Sequence, residues 1–217
     1  MNKKLLHLGV LLSFVAYKSG NSLALYPGSI QSCIKKHRKQ YYSHAGILPI
    51  LEHNGKRYLV LGKILGSKKL DYYGDFGGAQ VKKDYNNPVW TAARNFSTRS
   101  NSSFDDIFGL LKNQCLQTSC VLKANNGRYL IYPIEINLAN LNPLKKIGAS
   151  SSALLQNHPA YSFVELSTLQ KQIESLNKNT QAKDLVIKTN TGKTITIRSE
   201  LIDALLDKPN FFEKFTK

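Results

Sequence analysis

Three residues on one face of a predicted helix limit the chemistry that this chain can perform. Arg99 lies four positions after Asn95 and one after Thr98, so a helix would place all three side chains on the same side. Carboxylates at these positions would form an oxygen site for a divalent cation. The amide and the hydroxyl carry no net charge, and the guanidinium of Arg99 would repel such an ion by on the order of several kcal/mol in a partly buried cleft. We therefore expect no metal site on this face.

Other catalytic signatures are weaker. The chain has no Gly-x-Ser-x-Gly nucleophile motif, and its five histidines lack metal-ligand spacing. Its cysteines, Cys33, Cys115 and Cys120, form no Cys-x-x-Cys pair that would suggest zinc. Because three is an odd number, at most one disulfide can form within the chain, and the sequence leaves the pairing open.

The charge of the chain favours anionic partners. Its 30 Lys and Arg residues against 14 Asp and Glu give a formal net charge of +16. A field of this sign attracts nucleotides, acidic proteins, nucleic acids and acidic membrane surfaces. Nucleic acid is the least favoured, because no RNA- or DNA-binding motif accompanies the charge. We expect an anionic, nucleotide-like small molecule or a protein as the partner.

The N-terminal residues predict export. Two lysines at positions 3–4 precede an apolar run over 5–16, and positions 22–24 read Ser-Leu-Ala, with small residues where a signal peptidase reads them. The apolar run is short for a bilayer span. We predict a signal peptide over 1–24, a secreted or periplasmic protein, and no integral membrane segment after cleavage. A retained anchor and a buried helix are the alternatives. A basic N-terminal segment, 25–43, follows.

Turn signals divide the remaining chain into three predicted β-hairpins. Apolar runs over 46–51 and 57–61 flank Asn54-Gly55, runs over 120–123 and 128–136 flank Asn126-Gly127, and runs over 184–188 and 194–197 flank Asn190-Thr191-Gly192. Such turns are typical of tight hairpins. Pro49 in the first run predicts an edge strand or a bulge, because proline cannot donate to a sheet ladder.

Helical spacing appears between the hairpins. Pro88 suits the first turn of a helix over 88–100, and Asn87 can cap it. The apolar residues of this helix that should face the sheet are Val89, Ala92, Ala93 and Phe96. Further helices are predicted over 104–112, 166–176 and 200–206. Strands and helices mix without a regular βαβ rhythm, which predicts an α+β fold.

The stretch over 72–103 resembles the signature of Nudix hydrolases, G-x5-E-x7-R-E-U-x-E-E-x-G-U with U apolar. The matching elements are the turn Asp75-Phe76-Gly77-Gly78, the acid Asp84 in the place of the first glutamate, and the run Thr91-Ala92-Ala93-Arg94 that opens the helix. The loop before the helix is two residues longer than the signature allows. Asn95, Thr98 and Arg99 stand where the family has glutamates, and Asn101 replaces its glycine.

The resemblance implies a Nudix-like mixed β-sheet sandwiched by helices over 44–176, with a C-terminal hairpin and helix extension over 177–217. It implies ligand contact by Gly77, Gly78, Arg94, Arg99, Lys63 and Lys82, with the cations holding phosphate in place of a metal.

Since the family's glutamates are missing, the resemblance also implies a degenerate protein that needs no cofactor. Such a protein would bind an anion, or would be kept only to contact another protein. The alternative is a divergent hydrolase that uses Mg²⁺ or Mn²⁺ to cleave a nucleoside diphosphate derivative. Its relocated acids would be Asp75, Asp84 and Glu135.

Overall fold

The computed structural model describes residues 41–64, 71–84, 86–100, 121–136, 161–176, 184–189 and 191–215. The strands are β1 (His44–His53), β2 (Lys56–Lys63), β3 (Tyr72–Gly74), β4 (Phe76–Ala79), β5 (Leu122–Ala124), β6 (Tyr129–Ile136), β7 (Tyr161–Glu165), β8 (Leu185–Lys188) and β9 (Thr194–Ile197). The α-helices are α1 (Pro88–Arg99), α2 (Leu166–Ser175), α3 (Ser199–Leu206) and α4 (Asn210–Phe215), and a 3-10 turn covers Lys82–Asp84. The predicted signal peptide, the cysteines, the helix over 104–112 and Asn101 lie outside the described residues.

One mixed sheet contains all the strands named above, which confirms the α+β class. Its order is β5-β6-β1-β2-β3-β9-β8, and β4 and β7 pair additionally with β1 and β2. The pairs β1–β6 and β3–β9 are parallel, and the other pairs are antiparallel. The C-terminal hairpin therefore continues the same sheet through β3.

Strand β1 is central, so of the two alternatives predicted from Pro49, an edge strand or a bulge, the edge strand was wrong. On one side it pairs with β6 along 44–51. On the other side it pairs with β4 along 44–47 and with β2 along 50–53. Pro49 falls in the interval between these two pairings, where no ladder bond on that side is lost. A proline is tolerated there for the same reason that it is tolerated at an edge.

The three hairpins form as predicted. Asn54 and Gly55 both have positive φ, as do Asn126 and Gly127, and Gly192 closes the third turn with a φ of +82°. These left-handed conformations suit glycine and asparagine. The turns therefore fix the strand registers of β1–β2, β5–β6 and β8–β9.

Helices cover both faces of the sheet. On one face, α1 buries the four apolar residues predicted from its spacing, Val89, Ala92, Ala93 and Phe96, in one hydrophobic cluster. On the other face, α2, α3 and α4 pack in a second cluster that includes Leu48 and Ile50 of β1. Helix α4 was not predicted, because six residues near the chain end give too little periodicity, but its three phenylalanines are buried.

Candidate functional site

Helix α1 packs against β1 and β4 and carries three of the altered signature positions, Asn95, Thr98 and Arg99. The side chain of Asn87 accepts hydrogen bonds from the backbone N–H of Val89 at 3.1 Å and of Trp90 at 3.4 Å, which satisfies two donors at the helix start. Arg94 then lies beside the end of β4, where its Nη2 donates to the Ala79 carbonyl at 2.8 Å.

Asp84 and Arg94 form a two-pronged ion pair at the start of this stretch. Arg94 donates from Nε to Oδ1 and from Nη2 to Oδ2 of Asp84, each at 2.9 Å. Oδ2 also accepts from the Thr91 hydroxyl at 2.8 Å and from the Val81 N–H at 3.0 Å. Both oxygens of the Asp84 carboxylate therefore accept hydrogen bonds that hold the loop onto α1.

The protonation state of Asp84 follows from these bonds. Burial alone would raise the pKa of Asp84, but the donors from Arg94, Val81 and Thr91 outweigh it and hold the pKa below its usual value. The reciprocal interaction raises the pKa of Arg94. Both groups are charged at neutral pH.

Asn95 connects α1 to β1 instead of facing a ligand. Its Nδ2 donates to the Ala45 carbonyl at 3.2 Å, and its Oδ1 accepts from Nη1 of Arg94 at 3.2 Å. The amide also covers Gly78, where an added Cβ would lie 2.7 Å from Oδ1 of Asn95. Both ends of the amide therefore serve the fold.

The other two altered positions of the signature face solvent. Thr98 is exposed and donates its hydroxyl to the Arg94 carbonyl one turn back, at 2.9 Å. Arg99 is exposed at the end of α1 and makes no ion pair with another described residue. Of the three positions, Arg99 alone presents a charge, and this charge is positive.

A buried carboxylate that the sequence singled out, Asp75, lies between β3 and β4. The Tyr129 hydroxyl donates a short hydrogen bond to Oδ2 of Asp75. Nη1 of Arg198 lies 3.8 Å from Oδ1, and the Arg198 guanidinium stacks 4.8 Å from the centre of the Tyr129 ring. Nε of Arg198 also pairs with Glu200 at 3.3 Å. Oδ1 of Asp75 has no hydrogen-bond donor within the described ranges.

The groups around Asp75 act against the effect that burial has on its pKa. Desolvation raises the pKa of Asp75, and Arg198, Tyr129 and Arg99 act against that rise. Burial and the neighbouring carboxylate raise the pKa of Tyr129 well above its usual value. Arg198 is thus the cation paired with Asp75, and Arg99 adds a smaller effect of the same sign.

The glycines of the predicted ligand turn are covered by the protein itself. A Cβ on Gly77 would overlap the Tyr129 hydroxyl and the Asp75 carboxylate, and a Cβ on Gly46 of β1 would overlap the same carboxylate. These glycines let the Tyr129 side chain cross β1 to reach Asp75. The space beside Gly77 and Gly78 is filled by side chains of the chain.

The remaining predicted site residues lie apart. Glu135 is opposite Ile50 in the β1–β6 pair, five residues or about 16 Å along β1 from the Ala45 carbonyl that binds Asn95. It lies 3.8 Å from Arg57. Lys63 lies 3.7 Å from Asp71 at the β2–β3 pair. Lys82 is exposed in the 3-10 turn before α1, at the opposite end of that helix from Arg99.

Arg198 and Tyr129 are the site residues that the sequence reading missed. Neither belongs to the Nudix-like stretch: Tyr129 begins β6, and Arg198 follows β9 as the N-cap residue of α3. A signal was present at Asp75, because an acid between the buried residues Tyr73 and Phe76 requires a buried donor or cation. Which residue supplies that partner could not be read from the local sequence.

Two further findings concern the described part of the chain as a whole. No group of three or more His, Cys, Asp or Glu residues there is arranged to hold a metal ion. None of the helices there is long and apolar enough to cross a membrane.

No protein-family model matches the chain, and no curated protein matches it.

Proposed function

We propose that this chain is a secreted, degenerate Nudix-like protein that binds a phosphate-containing anion at Arg99 without metal-dependent hydrolysis. The observation that carries the proposal is the exposure of Arg99 at the end of α1. Arg198 is the cation paired with Asp75 and Glu200, whereas Arg99 makes no ion pair with another described residue, so its guanidinium can receive an anion from solvent. Guanidinium groups bind phosphate through paired, charge-assisted hydrogen bonds.

The side chains of the altered signature favour binding over hydrolysis. The Asn95 amide is bonded at both ends within the protein, and the Thr98 hydroxyl is bonded within its own helix. Asp84 is occupied by Arg94. A divalent ion placed here would meet the positive charge of Arg99, which opposes its binding.

Calorimetric titration with ADP and with inorganic pyrophosphate, in MgCl₂ and in EDTA, tests the proposal. We expect binding that persists in EDTA. Arg99→Gln should weaken it by about tenfold, the worth of one charge-assisted contact. Lys171→Gln, which removes an exposed cation from α2, is the matched control and should bind as the parent does. Equal affinities of the two variants would refute the assignment to Arg99.

The alternative hydrolase is favoured by one feature, the Oδ1 atom of Asp75 that lacks a hydrogen-bond donor in the described residues. A hydrolase would release phosphate from ADP with Mg²⁺ or Mn²⁺, and a folded Asp75→Asn variant would lose this activity. We expect no release from either protein. Absence of both binding and release would favour a protein partner instead.

Export belongs to the same proposal and rests on the sequence of residues 1–24. N-terminal sequencing of the protein recovered outside the cytoplasm checks it. A chain that begins at residue 25 is the expected result. A chain that still begins at Met1 would contradict it.

A further inference from the structure

Two turns of the sheet carry the same dipeptide, an asparagine followed by a glycine. Asn54-Gly55 joins β1 to β2, and Asn126-Gly127 lies between β5 and β6. Both asparagines are exposed, and all four residues have positive φ. The two turns therefore place one chemical pair, a side-chain amide and the N–H of the following glycine, in two different backbone settings.

An asparagine that precedes a glycine can react with the backbone that follows it. The glycine nitrogen attacks the side-chain carbonyl carbon Cγ, so that a C–N bond forms, the Cγ–Nδ2 bond breaks, and ammonia leaves with the proton of the glycine N–H. Water then opens the cyclic imide to aspartate or isoaspartate. Glycine favours the attack because it has no Cβ to hinder the approach, and asparagine is among the thermolabile residues of proteins.

In the turn between β5 and β6, a hydrogen bond holds the nitrogen that would attack. Gly127 donates its N–H to the Ala124 carbonyl at 3.1 Å, and the following N–H, that of Arg128, donates to the Asn125 carbonyl at 3.1 Å. Attack on the Asn126 side chain requires the first of these bonds to break. The turn therefore protects Asn126.

The turn between β1 and β2 has no such bond. It contains only two residues, so the pairing of the strands ends at His53 and Lys56. The Gly55 N–H has no backbone acceptor in the described part of the chain. A Cβ built on Gly55 would meet no atom within 4 Å, so open space surrounds the nitrogen that would attack Asn54.

We propose that Asn54 is a site of spontaneous deamidation in the folded protein and that Asn126 is protected from it. Both products add a negative charge to the turn between β1 and β2. Isoaspartate also adds one carbon to the main chain, which would disturb the pairing of His53 with Lys56. The charge and the strand pairing of this hairpin would therefore change with the age of the molecule, whether or not the chain binds an anion.

Peptide mapping by mass spectrometry tests the proposal on full-length protein incubated at mildly alkaline pH. Trypsin separates the two sites into peptides 40–56 and 124–128. In the folded protein, Asn54 should convert about fivefold faster than Asn126, which corresponds to about 1 kcal/mol and to one backbone hydrogen bond. In guanidinium chloride the two rates should become similar, because the dipeptide is the same. A folded-state ratio no larger than the unfolded-state ratio, or no conversion of Asn54, would overturn the proposal.

Two matched variants assign the modification in the intact protein. Asn54→Gln keeps an amide but would have to close a larger ring, so the acidic species that isoelectric focusing first detects in the aged parent should be lost. Asn126→Gln makes the same change in the protected turn and should leave that species as in the parent. Circular dichroism checks that both variants fold. An acidic species that forms equally fast in Asn54→Gln would also overturn the proposal.

Discussion

Replacing Asp84 by asparagine tests whether this acid is structural. The substitution keeps the shape of the side chain but leaves one oxygen where there were two. That oxygen can still accept from Thr91 or Val81, but the new NH₂ group faces the guanidinium of Arg94, so a donor meets a donor. The Asp84 side chain is 4% exposed and that of Arg94 is 35% exposed.

The expected cost follows from these exposures. Removing one partner of a buried ion pair costs about 3–5 kcal/mol. Because Arg94 can turn partly to water and keep its bond to the Ala79 carbonyl at 2.8 Å, we reduce this to about 2–3 kcal/mol at pH 7. Asp71→Asn is the control. Asp71 pairs with Lys63 and Lys193 at a site where its side chain is 43% exposed, and its loss should cost less than about 1 kcal/mol.

Urea unfolding followed by circular dichroism measures both variants, and pH gives a second check. The folded-state pKa of Asp84 is lowered, so its contribution to stability is present above the unfolded pKa of about 3.9 and is lost as pH falls through the folded pKa. The difference between the parent and Asp84→Asn should therefore shrink in acid. A variant within about 0.5 kcal/mol of the parent at pH 7 would refute the structural role. If the predicted loss of stability is found, weaker ligand binding by this variant is explained by that loss. It would then be no evidence that Asp84 is catalytic.

Three further outcomes are expected. Burial raises the folded-state pKa of Asp75, so the parent should lose stability as pH rises through that pKa, and urea unfolding of Asp75→Asn should show no such loss. Arg198→Ala leaves the Asp75 carboxylate buried without its cation and should cost about 3–5 kcal/mol, whereas Arg198→Ala in the Asp75→Asn background should cost clearly less, as a double-mutant cycle would show. Gly77→Ala overlaps the Tyr129 hydroxyl and should cost about 2 kcal/mol or more by thermal unfolding, against about 1 kcal/mol for Gly55→Ala, which meets open space at a positive φ.

The local structure of this chain was largely predictable. Asn54-Gly55 and its two counterparts set the hairpins, and the spacing of Val89 and Phe96 set the buried face of α1, because turn chemistry and periodicity act over a few residues. The central position of β1 was not predictable from Pro49. Whether a missing N–H matters depends on where two other strands end, which only the assembled sheet shows.

The candidate site was likewise predictable from the sequence only in part. The spacing of the signature correctly placed Asp84 and Arg94 in one stretch. It could not show that the two side chains would form an ion pair with each other. Nor could spacing predict that Tyr129 and Arg198 contact Asp75, since those contacts join residues 54 and 123 positions apart. A buried acid shows that a partner is required, and the topology decides which residue becomes that partner.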